Sequence, residues 1–326
     1  MLASPGAPFD SDDYLFEIKW DGIRALAFFG KGFARLQGRK LTDSSDRYPE
    51  ILAGLQALEG EGILDGEIVV LDEEGRPDFQ RVLSREQSRG TSSARGIASK
   101  HPAVYIAFDL LLRNGESLLD RPLVERRRLL SEVLANAPSP LVESTYVVGR
   151  GMAMFEEARE RGLEGIFAKR LTSRYLPGER TRDWLKIKVR RRLDAVLVGL
   201  VRERGAKRIK SLVLGCYRDG RLVWIGNAGS GIDQSTLDEL ETALDGLRSE
   251  PPPGFAAEAP GEIDWLSPRL VVRVEYTGLT KEQRLRHPVF VGFVDKAVTS
   301  CQFSVLGAAA PKPGDVGKSK HRPTEN

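Results

Sequence analysis

Tyr14-Leu-Phe-Glu-Ile-Lys-Trp-Asp-Gly-Ile-Arg24 is the stretch on which the reading of this chain turns. Side chains alternate across a β-strand, so Tyr14, Phe16, Ile18 and Trp20 fall on one face and Glu17, Lys19 and Asp21 on the other. The pattern predicts a strand over 14–20 with one apolar and one charged face. Gly22 then frees the backbone, and Arg24 follows. A lysine flanked by carboxylates is either an ordinary half-exposed charge or, where something lowers its pKa, a nucleophile. The rest of the chain has to decide between them.

Outward from this stretch, apolar patterning predicts strands at 24–29, 63–71, 104–112, 166–170 and 184–189. Helices are expected at 48–58, with Pro49 suited to a first turn, at 123–135, and at 150–161 with Gly162 to end it. The segment 84–100 is rich in Ser, Gly and Arg and reads as a mobile surface loop. Composition changes after Arg192. Strands at 194–203, 210–218 and 222–228, a helix at 235–247, a Pro/Gly/Ala segment at 251–261, and strands at 270–276 and 289–294 suit a small five-stranded barrel. The residues 308–326 read as a disordered tail. The fold class is therefore α+β, with an expected domain of antiparallel sheets and flanking helices over 1–190 and a β-barrel domain over 191–307.

At 326 residues the chain has room for two cores. A hydrophobic content of 41% and a charged content of 29% are those of a globular protein, and no apolar run approaches the roughly 20 residues that span a bilayer. The N-terminus shows no secretion-signal pattern, and no N-terminal DNA-binding domain is expected before the lysine strand. Cys216 and Cys301 read as buried thiols of a reducing cytoplasm, and the scattered Cys and His residues give no zinc-site spacing. Net charge is only +3, but Lys186, Lys188, Arg190, Arg191 and Arg192 form one basic run and Arg202, Arg204, Lys207, Arg208 and Lys210 another. Each is either solvated surface or a seat for a nucleic-acid backbone.

Lys19-x-Asp-Gly-x-Arg24 is followed, in order, by five more segments: Gln37-Gly-Arg-Lys40, Asp65-Gly-Glu67, Ala107-Phe-Asp-Leu110, Glu164-Gly-Ile-Phe-Ala-Lys169 and Trp184-Leu-Lys-Ile-Lys188. In the last, both lysines project from one strand face. Together these resemble the motif series of the covalent nucleotidyltransferases, a group of ligases and mRNA capping enzymes. Trp224-Ile-Gly-Asn-Ala-Gly-Ser-Gly231, Val272-Arg-Val-Glu-Tyr-Thr277 and Arg284-Leu-Arg-His-Pro-Val-Phe-Val-Gly-Phe293 with Asp295-Lys296 resemble the OB domain of bacterial ATP-dependent DNA ligases. The Arg-His-Pro form is similar to the ligase module of bacterial end-joining ligases of the ligase D type. The resemblance runs from about residue 1 to about residue 306.

The resemblance implies an adenylation domain, an OB-fold domain, and DNA end sealing through AMP carried on Lys19. A free lysine has a pKa of about 10.4, so nearby cations must lower it for attack. Lys169, Lys186, Lys188 and a divalent ion are the expected sources, and the same cations would neutralise phosphate charge. Mg²⁺, with Mn²⁺ as the alternative, would be held by Glu67 and Glu164. Phe108 is the expected stacking partner of the base. Arg24 and Glu67 suit the ribose, Glu17 the adenine amino group by side chain or backbone, and Arg284 and Arg286 the pyrophosphate, while Arg39, the arginine of the second motif, joins the ATP/AMP-binding set. The implied partners are ATP, nicked or broken double-stranded DNA, and a Ku-like end-binding protein. A monomer in the bacterial cytoplasm, on the nucleoid when bound to DNA and with no membrane attachment, is expected. Three alternatives stay open here: a GTP-dependent capping guanylyltransferase, an RNA ligase, and a catalytically silent DNA-binding module.

Overall fold

The computed structural model describes residues 1–87, 91–203, 209–233, 246–253, 255, 259, 262–280 and 282–295. The chain divides into two units, Met1–Arg190 and a second that begins at Arg191.

In the first unit, the alternation around Lys19 builds one face of a five-stranded sheet. Its order is Leu2–Pro5, Arg180–Lys188, Gly165–Arg170, Ser11–Ile18 and Tyr146–Gly149. Leu2–Pro5 runs parallel to its neighbour, and the other pairs are antiparallel. Tyr14, Phe16, Ile166, Ala168 and Ile187 are buried together with Ala158 of the helix Gly151–Glu160. A large apolar side chain buried in this way contributes roughly 1.5–3 kcal/mol. The opposite face carries the charges.

A second sheet orders Phe33–Gly38, Ile23–Gly30, Gly62–Val70, Ala103–Arg113 and Glu116–Ser117, with Leu141–Glu143 alongside Ala103–Arg113. Phe29, Leu36, Leu64, Ile68, Tyr105 and Leu110 pack against Ile51 and Leu55 of the helix Pro49–Gln56 and Leu130 of the helix Leu123–Leu134. A third cluster, Met1, Phe108, Leu111, Tyr175 and Trp184, joins the two sheets.

Two expectations need correcting. The strand predicted over 14–20 ends at Ile18, although the Lys19 amide still donates to the Gly165 carbonyl at 2.9 Å. Beyond it the chain crosses to the second sheet so tightly that a Cβ at Gly22 would sit 2.3 Å from the Ile68 carbonyl oxygen. The second correction concerns 84–100. Instead of a loop, the described residues there belong to the helices Phe79–Gln87 and Thr91–Lys100. Asp78 caps the first, its carboxylate accepting from the Gln80 and Arg81 amides at 3.0 and 3.1 Å. Arg85, fully buried, then bonds Glu50 and the backbone carbonyls of Arg47 and His101.

The second unit is a five-stranded antiparallel sheet of OB type, ordered Arg221–Ala228, Ile209–Arg218, Arg191–Arg202, Ile263–Tyr276 and Val289–Val294. Leu197, Leu212, Ile225, Val272 and Phe290 form its core, and Cys216 is buried within it. The strand expected at 270–276 begins earlier, at Ile263, and the one expected at 194–203 begins at Arg191. Most of the expected helix 235–247, together with Arg204, Lys207, Arg208, Lys296, Cys301 and the tail, lies outside the described residues. Among the described residues no helix is long and apolar enough to cross a membrane.

Candidate active site

Strand register gathers the charged motif residues. Leu15 stands opposite Lys169 and Glu17 opposite Phe167, while Lys169 stands opposite Trp184, Phe167 opposite Lys186 and Gly165 opposite Lys188. Directly opposed residues share a face of the sheet. Glu17, Phe167, Lys169, Trp184, Lys186 and Lys188 therefore turn away from the apolar core.

This face floors a cavity of about 600 Å³. Lys19, Arg24, Arg39, Lys40, Lys169, Arg180, Lys186 and Lys188 line it, with Glu67 as the carboxylate and Phe79, Phe108, Phe167, Trp20 and Trp184 as aromatic walls. Every lining residue belongs to the first unit. So strongly basic a hollow with aromatic walls is chemically suited to a nucleoside polyphosphate.

Lys19 Nζ and Lys188 Nζ grip opposite oxygens of Glu164, the latter at 2.8 Å. Burial pushes the Glu164 carboxyl up, but Lys19 and Lys188 outweigh it and hold the group below its ordinary value. Lys186 is lowered by burial and then by the positive charges of Arg180, Lys188 and Lys19. Arg24 forks onto Asp65 at 2.9 and 2.6 Å, and Tyr175 adds a bond to Asp65 at 2.8 Å. Burial alone would raise the Asp65 pKa, yet Arg24 and Tyr175 keep it below the ordinary value.

Lys169 is 1% exposed and ion-paired with Glu17, which is equally buried. Its ammonium lies 4.1 Å from the Phe108 ring centroid and 4.2 Å from that of Trp184. Burial lowers its pKa, with Glu17 opposing. Glu17 thus has one oxygen on Lys169 and the other on Arg127 at 3.0 Å, and its side chain stands behind the cavity wall. Arg284 and Arg286 belong to the second unit, where Arg284 lies 4.2 Å over the Trp224 ring.

A divalent ion fits the cavity in one respect above all. Burial pushes the Glu67 carboxyl up to about 8, against the pull of Lys19 and Arg24, and a bound cation would restore its charge. Among the described residues no cluster of three or more Asp, Glu, His or Cys side chains gathers. Such an ion would draw most of its oxygens from phosphate and water, as Mg²⁺ does beside one or two carboxylates. Glu164 already has a lysine on each oxygen, so an ion there would share those oxygens with Lys19 and Lys188 or displace one of them.

The motifs did not include Phe79, Arg180, Tyr175 or Arg127, and Lys40 and Asp65 stood in them as letters with no role assigned. Trp184 was visible as a motif letter, and its position opposite Lys169 is what makes it a wall.

A lysine on a basic, aromatic-walled cavity, followed by an OB-type unit, defines a covalent-nucleotidyltransferase plan. The family model for the ATP dependent DNA ligase domain matches residues 2–188, and that for the ATP dependent DNA ligase C terminal region matches 205–296. The chain belongs to the ATP-dependent DNA ligase family. The multifunctional non-homologous end joining protein LigD of Pseudomonas aeruginosa is 35% identical over 296 residues, 86% of this chain and 33% of that protein. The LigD of Mycobacterium tuberculosis H37Rv is 35% identical over 301 residues, 90% of this chain and 38% of the relative. The chain thus spans about a third of the length of these relatives. Among solved structures, mycobacterial DNA ligase D complexed with ATP and MES matches with a TM-score of 0.53 and 33% identity, covering 92% of this chain and 97% of that one. The ligase domain of M. tuberculosis LigD gives 0.52 at 34% identity, covering 91% and 95%. The capping, RNA-ligase and silent-module alternatives gain no support from these matches.

Proposed function

We propose that this chain is an ATP-dependent DNA ligase that seals 3′-hydroxyl/5′-phosphate breaks in duplex DNA, in DNA repair by non-homologous end joining. The observation that carries the reading is Lys19 on a cavity whose walls are basic and aromatic. Lys19 Nζ, having given up a proton, attacks the α-phosphorus of ATP. The N–P bond forms as the bond to the β-phosphate oxygen breaks and pyrophosphate leaves. The DNA 5′-phosphate then attacks the same phosphorus, the N–P bond breaks, and the AMP passes to DNA. The 3′-hydroxyl finally attacks the DNA 5′-phosphorus and displaces AMP.

The chain's own residues bind and orient. Phe108 and Trp184 wall the base, and Arg24 and Glu67 meet the ribose. Lys186 and Lys188 hold the α-phosphate, with Arg39 on the phosphates beyond it. Lys169 braces the wall through its contact with the Phe108 ring, and the Glu17 side chain contributes through Lys169. Arg284 and Arg286 serve the pyrophosphate end. Mg²⁺ or Mn²⁺ at Glu67, with Glu164, would supply charge neutralisation for the phosphates. Duplex DNA is held through its backbone, so the enzyme has little sequence preference. It acts as a monomer in the bacterial cytoplasm, with a Ku-like protein presenting ends.

A nicked duplex with a labelled 5′-phosphate, incubated with the protein and Mg²⁺, tests this. Sealing with ATP and none with GTP is expected. Sealing of RNA nicks in preference to DNA, or no sealing of any nick, contradicts it.

A further inference from the structure

We propose that Arg127, on the helix Leu123–Leu134, is a positioning residue that sets the base-stacking wall of the nucleotide cavity. The proposal rests on the reading of Phe108 as the stacking partner of adenine.

Arg127 is 1% exposed and makes no part of the cavity lining. Its Nη1 donates to the Phe108 carbonyl at 2.8 Å and to Glu17 Oε2 at 3.0 Å. Its Nη2 donates to Glu143 Oε1 at 3.1 Å and to the Ser144 carbonyl. The second Glu17 oxygen accepts from Lys169, whose ammonium rests against the rings of Phe108 and Trp184. Arg127 therefore reaches Phe108 twice. It holds the backbone directly, and it holds the ring through Glu17 and Lys169.

The chemistry requires a guanidinium. Four acceptors on three chain segments surround one planar group, and a lysine ammonium, a compact point with three donors, cannot span them. Glu17 between two cations also fixes the order of charges: without Arg127, Lys169 alone would direct that carboxylate. The stacking ring would then lose the depth and tilt at which a base can slide between it and the cavity floor. The consequence is a defect in nucleotide capture, with the transfer of AMP to Lys19 left at nearly full speed once ATP is bound.

Single-turnover adenylation over a range of ATP concentrations tests this, on Arg127→Lys, Phe108→Leu and the double variant, with thermal melts to establish folding. Each single variant is expected to raise the half-saturating ATP concentration about tenfold with the saturating rate within about twofold. The double variant is expected to be no worse than the poorer single one, because both act on one wall. If Phe108→Leu leaves half-saturation unchanged, the stacking reading and this proposal both fall. If Phe108→Leu shifts it and Arg127→Lys does not, or the two effects multiply, the Arg127 proposal alone is overturned. Should Arg127→Lys not fold, Glu143→Gln loosens the same guanidinium from its half-buried end. A rise of about threefold or more supports the proposal, and a smaller one overturns it.

Discussion

Glu164 sits between two lysine ammonium groups, one of them the proposed nucleophile, and so holds Lys19 and Lys188 side by side. Lys186 has a different environment: it faces the cavity among cations that lower its pKa after burial has done so. Its removal should be felt in chemistry more than in stability. Lys186→Ala and Lys188→Ala are each expected to slow single-turnover adenylation by about 10²-fold, with melting temperatures within a few degrees of the parent. Unchanged adenylation in both variants would remove them from the phosphate site. At this scale the two lysines were legible in the sequence, because alternation along one strand puts both on one face. Trp184 and Arg127 were not. The first depends on strand register against Lys169, and the second on a helix that brings an arginine from over a hundred positions away onto Glu17. An arginine pair on an amphipathic helix ordinarily reads as its solvated side, yet Arg126 and Arg127 are both buried.

Elements are joined at points where only particular residues fit. Gly165 has φ +145°, and a Cβ there would lie 2.1 Å from the Ile187 carbonyl oxygen. Gly165→Ala should cost about 2–3 kcal/mol and lower the melting temperature by roughly 5–10 °C. A melt indistinguishable from the parent would show that the strand Gly165–Arg170 can shift away. Arg24 and Asp65 tie the strand Ile23–Gly30 to Gly62–Val70. Because Asp65 is held below its ordinary value of 3.8, the unfolded chain takes up its proton first as pH falls. Its stabilising contribution is full above about pH 4 and is lost as pH drops through the folded value below that. Asp65→Asn should cost about 3–5 kcal/mol at neutral pH, by leaving the Arg24 guanidinium short of its partner, and should flatten the acid limb of the stability profile. An unaltered acid limb, measured by denaturant melts from pH 2 to pH 7, counts against this. The segment 84–100 shows why local composition misled. Ser and Gly favour loops in isolation, but the Asp78 cap and the buried Arg85 anchor supply the helical ends and a tertiary hold. The Asp78 cap, directly before Phe79, was the available signal.

The two units divide the labour along the chain. The first holds every residue that lines the cavity, and Arg284 and Arg286 belong to the second. The run Lys186–Arg192, read from sequence as one basic patch, is split by structure: Lys186 and Lys188 face the cavity, while Arg191 and Arg192 open the first strand of the OB-type sheet. That split follows from the end of one strand at Lys188 and the start of the next, in the second unit, at Arg191, and could not be told from charge alone. Arg192 pairs with Glu275 and Arg202 with Asp264, both on the neighbouring strand, so part of the basic surface is already neutralised. Duplex affinity should nevertheless be governed by phosphate contacts. It is expected to fall by about tenfold or more between 50 and 200 mM salt and to differ little between unrelated sequences. Affinity insensitive to salt in an equilibrium binding titration would contradict a backbone-held duplex. The central claim is that Lys19 carries AMP. Mass spectrometry of protein incubated with ATP and Mg²⁺, digested under conditions that preserve phosphoramidates, tests it most directly. The account predicts one AMP per chain, on the peptide containing Lys19, and none on the Lys19→Ala variant. AMP on any other residue, or an adduct that survives in Lys19→Ala, would contradict it.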